Sequence, residues 1–193
     1  MKRNNCIFKK ALGIILVLAV CISLAGNSSV SRAASGYKIK VNKQKNCVTI
    51  YKMNANGKYK PVKAMVCSTG AATPVGTFPL GEKMRWHTLI GPCYGQYCTR
   101  IHGGILFHSV WYYKPSPSTL SSEAYNRLGT TASHGCVRLT VADAKWIYDN
   151  VPSGSPVTVY NSSKPGPLGK PSGIRLPSSS RWDPTDVWSS GNP

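Results

Sequence analysis

Residues that could carry out nucleophilic chemistry cluster in one short segment, Ser133-His134-Gly135-Cys136-Val137-Arg138. A cysteine becomes a nucleophile when a nearby cation or base favours its thiolate. In an extended backbone, His134 and Arg138 would point to the same side as Cys136, because residues two apart share a face. Gly135 would let the backbone approach a substrate, and the N–H groups beside the cysteine could stabilise an oxyanion. The alternative is a buried structural cysteine beside a surface histidine and a surface arginine.

A cysteine nucleophile needs an imidazole within hydrogen-bond reach and a group that orients this imidazole. His108 ends the apolar run 105–107, which predicts a core strand, and the end of a rigid strand is a good platform for a catalytic group. His102, which precedes two glycines, is the rival candidate. His87 lies in a stretch rich in Trp and Arg and has no comparable context.

Four other cysteines follow the N-terminal segment. Cys93 and Cys98 enclose four residues, which we interpret as a short loop and the best disulfide candidate. Cys47 and Cys67 lie on neighbouring predicted strands, where they either pair or pack as small apolar groups, and packing is the favoured interpretation. Together with Cys136 there are five cysteines, which is an odd number. At least one thiol therefore stays free unless it forms a disulfide with another chain.

A zinc site is the competing interpretation of some of these residues. Four of them have a spacing that resembles metal ligands: Cys93, Cys98, His102 and His108. The gap between the two cysteines is long and the ligand pairs are not the usual ones. We therefore expect no metal and no other cofactor.

The elements that must position these residues are mostly β-strands. Alternating or β-branched runs predict strands at 37–41, 47–52 and 61–67. Shorter runs predict strands at 77–80, 105–108 and 157–160. One late helix is predicted by apolar residues at helical spacing, namely Val141, Ala144, Tyr148 and Val151. Thr140 and Asp143 form a capping pair at its start, and Pro152 ends it. The predicted fold class is mostly β, a sandwich or open barrel with one late α-helix.

Length and charge limit the classes of function. The 193 residues predict one ordinary domain with appendages, and 41% hydrophobic residues exclude a collagen or a wholly disordered chain. The 24 basic and 6 acidic residues give a net charge of +18, which favours an anionic partner without saying which one.

Residues 1–34 have the pattern of a secretory signal peptide, with an uncleaved membrane anchor as the alternative. Basic residues precede an apolar run at 11–26, and small residues continue to Ala33 and Ala34, where we expect cleavage. Cleavage would remove Cys6 and Cys21 and leave 19 basic and 6 acidic residues, a net charge of +13. No second apolar run follows, so we expect a secreted monomer in the cell envelope, without integral membrane association after cleavage. An exported chain meets little nucleic acid, so we expect anionic cell-wall polymers as partners instead.

Residues 161–193 are rich in Pro, Ser and Gly, which predicts a tail or linker. Trp182 and Trp188 are unusual for such a segment. They either dock on the domain or bind sugar, and docking is the favoured interpretation.

The motif at 133–138, together with Phe107-His108-Ser109, resembles the active-site signature of the L,D-transpeptidases, the YkuD-type domain. Segments 68–78, 142–148 and 154–159 resemble the loop, closing helix and closing strand of that family. The similarity covers nearly all of the predicted catalytic domain, residues 35–160. It implies a YkuD-like β-sandwich and an enzyme that acts on peptidoglycan stem peptides.

The resemblance also implies a role for each residue. Cys136 would be the nucleophile, His108 the general base and the Ser109 carbonyl the group that orients the imidazole. His134 and Gly135 would shape the pocket and the oxyanion site. Residues expected near the substrate are Arg138, Ser133, Tyr112 and Trp111.

The implied reaction joins the third residues of two stem peptides through a cysteine thioester. The alternatives are an L,D-carboxypeptidase that trims tetrapeptide stems, a sortase-like transpeptidase and an inactive wall-binding module. The 24 residues between His108 and Ser133 exceed the family's usual spacing. We expect the excess, within 111–126, to form a lid over the donor site.

Overall fold

The N-terminal strands form the first of two sheets in the computed structural model, which describes residues 36–188. Alternation explains the first strand, because Ile39 and Val41 are fully buried while Lys38 and Lys40, which alternate with them, are only half-buried. This sheet has the order β3-β2-β1-β9-β4. Its strands are β1 (Tyr37–Asn42), β2 (Cys47–Met53), β3 (Tyr59–Val66), β4 (Gly76–Pro79) and β9 (Pro156–Tyr160). β1 pairs antiparallel with β2 and parallel with β9.

The second sheet has the order β5-β6-β7-β8. Its strands are β5 (Lys83–Leu89), β6 (Cys93–His102), β7 (Ile105–Ser109) and β8 (Val137–Leu139). β7 pairs parallel with β8, although 27 residues separate the two strands in the chain. This pairing brings the end of the 105–109 run beside the cysteine motif.

Two helices accompany the sheets in the described residues, and a 3₁₀ turn (Pro117–Thr119) precedes the first. The late helix α2 (Val141–Asn150) confirms the predicted cap, since the Asp143 N–H donates to Thr140 Oγ1 at 3.2 Å. α2 packs against β6 and β7 and buries Val141, Ala144 and Ile147. The five-residue helix α1 (Ser122–Asn126) was not predicted, so the expectation of a single helix is corrected. A mostly β fold with two sheets is confirmed.

The C-terminal segment, residues 161–188, is irregular but is not detached from the domain. The Leu120 N–H donates to the Arg181 carbonyl at 2.9 Å, and the Val141 N–H donates to Asp183 Oδ2 at 2.9 Å. Asp183 and Asp186 are both fully buried. The expected docking of Trp188 has support, because the Lys145 ammonium lies 5.1 Å from its ring, although half of Trp188 stays exposed.

The predicted signal peptide, residues 1–34, lies outside the described residues. Within residues 36–188, no helix is both long and apolar enough to span a bilayer.

Candidate active site

Cys136 directly precedes β8 and lines a cavity of about 310 Å³. His108, on β7, lines the same cavity, and the parallel register sets it opposite Arg138. His134 and Arg138 line the cavity as well, so the structure brings together the three residues that the extended motif predicts on one face. The regular strand begins only at Val137, and the preceding residues form a bend.

The loop at 68–76 holds the backbone of the motif. Thr73 Oγ1 donates to the Gly135 carbonyl at 2.7 Å. A β-carbon at Gly70 would lie only 2.2 Å from the Ser133 carbonyl oxygen, so the two backbones can touch only because this position has no side chain. The loop therefore fixes the path of the chain into Cys136.

His108 is held by its own strand. It is 1% exposed, and its Nδ1 lies 2.5 Å from the carbonyl oxygen of Ser109. Because a carbonyl only accepts, Nδ1 carries the proton and Nε2 is left as the proton acceptor. Burial, and then the charge of Arg138, lower the pKa of His108 from 6.5 to about 3, against the opposing effect of the Ser109 hydrogen bond. The imidazole is therefore neutral at physiological pH.

Cys136 is a neutral thiol in the same environment. Its Sγ donates a weak hydrogen bond to the Gly104 carbonyl at 3.7 Å. Burial raises the pKa of the thiol, while a backbone hydrogen bond from Leu106 and the Arg138 charge lower it in part. A neutral thiol and a neutral imidazole on the same cavity can transfer a proton during a reaction, whereas a stored thiolate is not favoured here.

Two residues expected near the substrate, Ser133 and Arg138, do line the cavity. Ser133 Oγ donates to the Cys136 carbonyl at 2.6 Å, and Arg138 Nη1 donates to the Ala132 carbonyl at 2.8 Å. Both side chains thus stabilise the motif while they face the cavity.

The structure corrects the expectation for Tyr112 and Trp111, neither of which lines the cavity. Tyr112 is fully buried in the core, with its ring centroid 5.2 Å from that of Trp86, so it is sealed from any substrate. Trp111 packs against the core and edge-on to Tyr113. The expected lid is corrected too, because no residue of 111–126 lines the cavity.

The proposed disulfide between Cys93 and Cys98 is also wrong. The segment is no loop but the first half of β6, and both thiols are free. An extended strand rises about 3.3 Å per residue, which separates residues five apart far beyond the roughly 7 Å that a disulfide can span between Cα atoms. Cys47 and Cys67 are buried and free, which confirms that they pack as small apolar groups.

For the two remaining histidines, the structure reverses the expectation from sequence context, which favoured His102 over His87. His102 is exposed at the end of β6 and stacks on Phe78 at 4.6 Å, away from the cavity. His87 lines the cavity with its hairpin neighbours Ile90 and Cys93. Sequence reasoning missed this wall, since the contact depends on how the β5–β6 hairpin folds over β7 and carries no local signal.

Within residues 36–188, no group of three or more His, Cys, Asp or Glu side chains is arranged to hold a metal ion.

The chain was compared with known proteins. The family model for the YkuD L,D-transpeptidase catalytic domain matches residues 36–159. A Bacillus subtilis (strain 168) protein named "Putative L,D-transpeptidase YciB" is 44% identical over 92 residues, which cover 46% of this chain and 46% of that protein.

Solved structures show the same fold. The LD transpeptidase LdtMt1 in complex with imipenem is 22% identical with a TM-score of 0.52, covering 65% of this chain and 59% of that one. An L,D-transpeptidase from Mycobacterium tuberculosis H37Rv is 25% identical with a TM-score of 0.50, covering 66% and 58% respectively. The matches thus span about half to three fifths of these relatives' lengths. Because the family model covers well over half of the chain, the protein belongs to the family of YkuD L,D-transpeptidase catalytic domains.

Proposed function

We propose that this protein is an exported L,D-transpeptidase that joins the third residues of two peptidoglycan stem peptides through a thioester on Cys136. The observation that carries the proposal is the convergence of Cys136 and neutral His108 on one cavity, from the neighbouring strands β7 and β8. Membership of the family supports the substrate class. No cofactor takes part.

The first half-reaction transfers the acyl group to the enzyme. As the donor tetrapeptide binds, the Cys136 thiol leaves the Gly104 carbonyl and gives its proton to His108 Nε2. Sγ bonds to the carbonyl carbon of the third residue, and N–H groups near Gly135 stabilise the resulting oxyanion. The C–N bond then breaks, the terminal D-alanine amine takes the proton from His108, and a thioester remains.

The second half-reaction reverses these proton movements. The side-chain amine of a second stem attacks the thioester carbonyl, His108 accepts the amine proton, and the Cys136 thiolate leaves and recovers a proton. Because the thioester retains the free energy of the original amide, no nucleotide is consumed. Water in place of the amine would give carboxypeptidase activity, which is the second candidate.

Mass spectrometry of muropeptides incubated with the protein tests this proposal. We expect dimers joined between third residues, and we expect none with the Cys136→Ala variant as the matched control. Tripeptides without dimers would assign the trimming activity instead. Unchanged muropeptides, with no adduct on Cys136 after treatment with imipenem, would overturn both.

We further propose that the protein acts in the cell envelope as a monomer and adheres there to anionic cell-wall polymers. The contact would be made by the lysine–tyrosine face, defined as Lys38, Lys40, Tyr51 and Tyr59 on β1 to β3. The Lys38 ammonium lies 4.4 Å from the Tyr59 ring and 5.1 Å from the Tyr51 ring. The Lys40 ammonium lies 5.7 Å from the Tyr51 ring. Charges that are partly exposed to solvent are screened by salt, so adhesion that is insensitive to salt would overturn the proposal.

A further inference from the structure

The C-terminal segment reaches the interior of the domain although it lies outside the family match at 36–159. Asp186 is fully buried, and its Oδ2 accepts a hydrogen bond from Gln96 Nε2 at 3.1 Å. A buried carboxylate is costly unless it is hydrogen-bonded, and here the partner is itself fully buried on β6. The contact joins residues 90 positions apart and holds β6 at one point.

Gln96 is fixed at both ends of its side chain. Its Nε2 donates to Asp186, while its Oε1 accepts from Arg85 Nη1 at 2.7 Å. A carboxylate on the amide nitrogen and a guanidinium on the amide oxygen allow only one orientation of this amide. Asp186 thereby helps to fix the side chain of Gln96 on β6.

The backbone of Gln96 continues the network to the proposed base. The Gln96 N–H donates to Ser109 Oγ at 2.9 Å, and Ser109 Oγ donates to the Val110 carbonyl at 2.8 Å. The carbonyl of the same Ser109 accepts the proton on His108 Nδ1. Three hydrogen bonds thus connect Asp186 to the His108 ring through groups that are all buried.

β6 also touches the ring directly. A β-carbon at Gly95 would lie 2.9 Å from His108 Nδ1 and 3.0 Å from His108 Cβ. The strand can approach so closely only because residue 95 has no side chain. A displacement of residues 95–96 would therefore move both the ring and the carbonyl that orients it.

We propose that Asp186 is a positioning residue for His108, so that the C-terminal segment is part of the active-site scaffold and not a linker. The inference rests on the proposed role of His108 as general base. Asp186 does not touch the substrate. It acts through Gln96 and Ser109, which hold the His108 ring by its Nδ1 atom at the cavity that Cys136 also lines.

The competing explanation is that Asp186 only anchors the segment. A matched control removes another anchor of the same segment: the side chain of Asn126 donates to the Leu176 carbonyl at 2.8 Å and accepts from the Leu176 N–H at 2.7 Å. Asn126→Ala would loosen the segment without touching the hydrogen bonds of Gln96. The two variants separate positioning from anchoring.

The test measures the rate at which imipenem acylates Cys136 in the full chain, at a temperature where all variants are folded by circular dichroism. A small misplacement of a catalytic group reduces rates strongly, so we expect Asp186→Ala to slow acylation by about tenfold or more. Asp186→Asn keeps an oxygen that accepts from Gln96 and should stay within about threefold of the wild-type rate. Asn126→Ala should lower the melting temperature and leave the rate unchanged. Should Asp186→Ala fail to fold, Asp186→Leu keeps the volume without the acceptor.

Nuclear magnetic resonance of the His108 Nδ1–H proton gives a readout that does not depend on turnover. We expect Asp186→Ala, or Asp186→Leu, to shift this signal or to speed its exchange with water, and Asn126→Ala to leave it in place. An unchanged signal in Asp186→Ala or Asp186→Leu would overturn the inference. So would a loss of acylation rate in Asn126→Ala equal to that in Asp186→Ala. A wild-type protein that is inactive on muropeptides but shows the expected signals would contradict the proposed function alone.

Discussion

The two sheets differ in where they keep their polar groups. Residues 36–81, which contain β1 to β4, carry eight lysines and no acidic residue. The second sheet buries the side chains of Gln96, His108 and Ser109, and each of them takes part in a hydrogen bond. The first sheet therefore presents charge to solvent, whereas the second holds polar groups in fixed hydrogen bonds. The difference teaches that the high charge of this protein and its chemistry are separate properties.

Salt bridges sharpen this contrast. Of the eight lysines, only Lys63 forms an ion pair in the described part of the chain, at 3.1 Å from Asp143 on α2. Lys43 instead donates to the carbonyl oxygens of Ala71 and Thr73, at the loop that supports the cysteine motif. Thus one lysine, in the turn after β1, braces the loop beside the cysteine motif, while the lysine–tyrosine face is only partly exposed.

The largest expected effect comes from removal of the proposed nucleophile, Cys136, which directly precedes β8 of the second sheet. Cys136→Ala should reduce the rate of muropeptide cross-linking by at least about 10⁴-fold, the scale seen when a covalent nucleophile is lost. The fold should survive because the side chain is small and only partly buried. Dimer formation at the wild-type rate in this variant would contradict the assignment.

The next effect distinguishes the two histidines of β6 and β7. General acid–base catalysis contributes about 10²–10⁴-fold, so His108→Ala should lose this much in kcat. His102→Ala, on the exposed end of β6, should change the rate by no more than about twofold, as expected for a surface position. Steady-state kinetics with purified stem peptides would measure both. The reverse order would move the base to His102.

Burial of His108, on the second sheet, predicts a pH dependence of stability. Its pKa falls from 6.5 to about 3 on folding, so below pH 6.5 the unfolded state binds the extra proton. Stability should be fully present above pH 6.5 and decrease on acidification, by on the order of 1 kcal/mol for each pH unit. Urea unfolding between pH 7 and about pH 5, above the usual range of carboxylates, would measure it.

His108→Asn is the control for this dependence. The variant has no imidazole at this position, so its free energy of unfolding should change less over the same range. An equal slope in the wild type and the variant would show that another group is responsible.

The smallest effect concerns the first sheet. Lys38→Gln with Lys40→Gln should weaken adhesion to isolated cell wall by about tenfold at low salt, because a lysine near an anionic surface contributes on the order of 1 kcal/mol. Turnover of soluble muropeptides should be unchanged. Lys114→Gln with Lys164→Gln removes the same charge from exposed positions elsewhere and is the matched control. Equal losses in both pairs would mean that net charge, not this face, governs adhesion.

Much of the fold could be predicted because its signals are local. Alternation predicts β1, and the pair Thr140 and Asp143 predicts the start of α2, since both patterns involve residues close in sequence. The sequence carries no clear signal for β5 and β6, and the spacing of Cys93 and Cys98 favours a disulfide loop where the structure has the first half of β6. The resemblance implies a place near the substrate for Tyr112, but an aromatic residue close in sequence to His108 is equally compatible with the core and with a pocket wall.

By itself, the sequence determined the mostly β fold class and singled out the motif around Cys136, and the resemblance favoured His108 over His102 as its partner, because each depends on neighbouring residues or on short periodicities. Only the tertiary structure decided that His87 lines the cavity, that Tyr112 is sealed in the core and that Asp186 hydrogen-bonds Gln96. These contacts join distant parts of the chain, and their energies come from burial and hydrogen bonding in the packed state. No local pattern encodes such pairings, so they become visible only when both sheets and the C-terminal segment are in place.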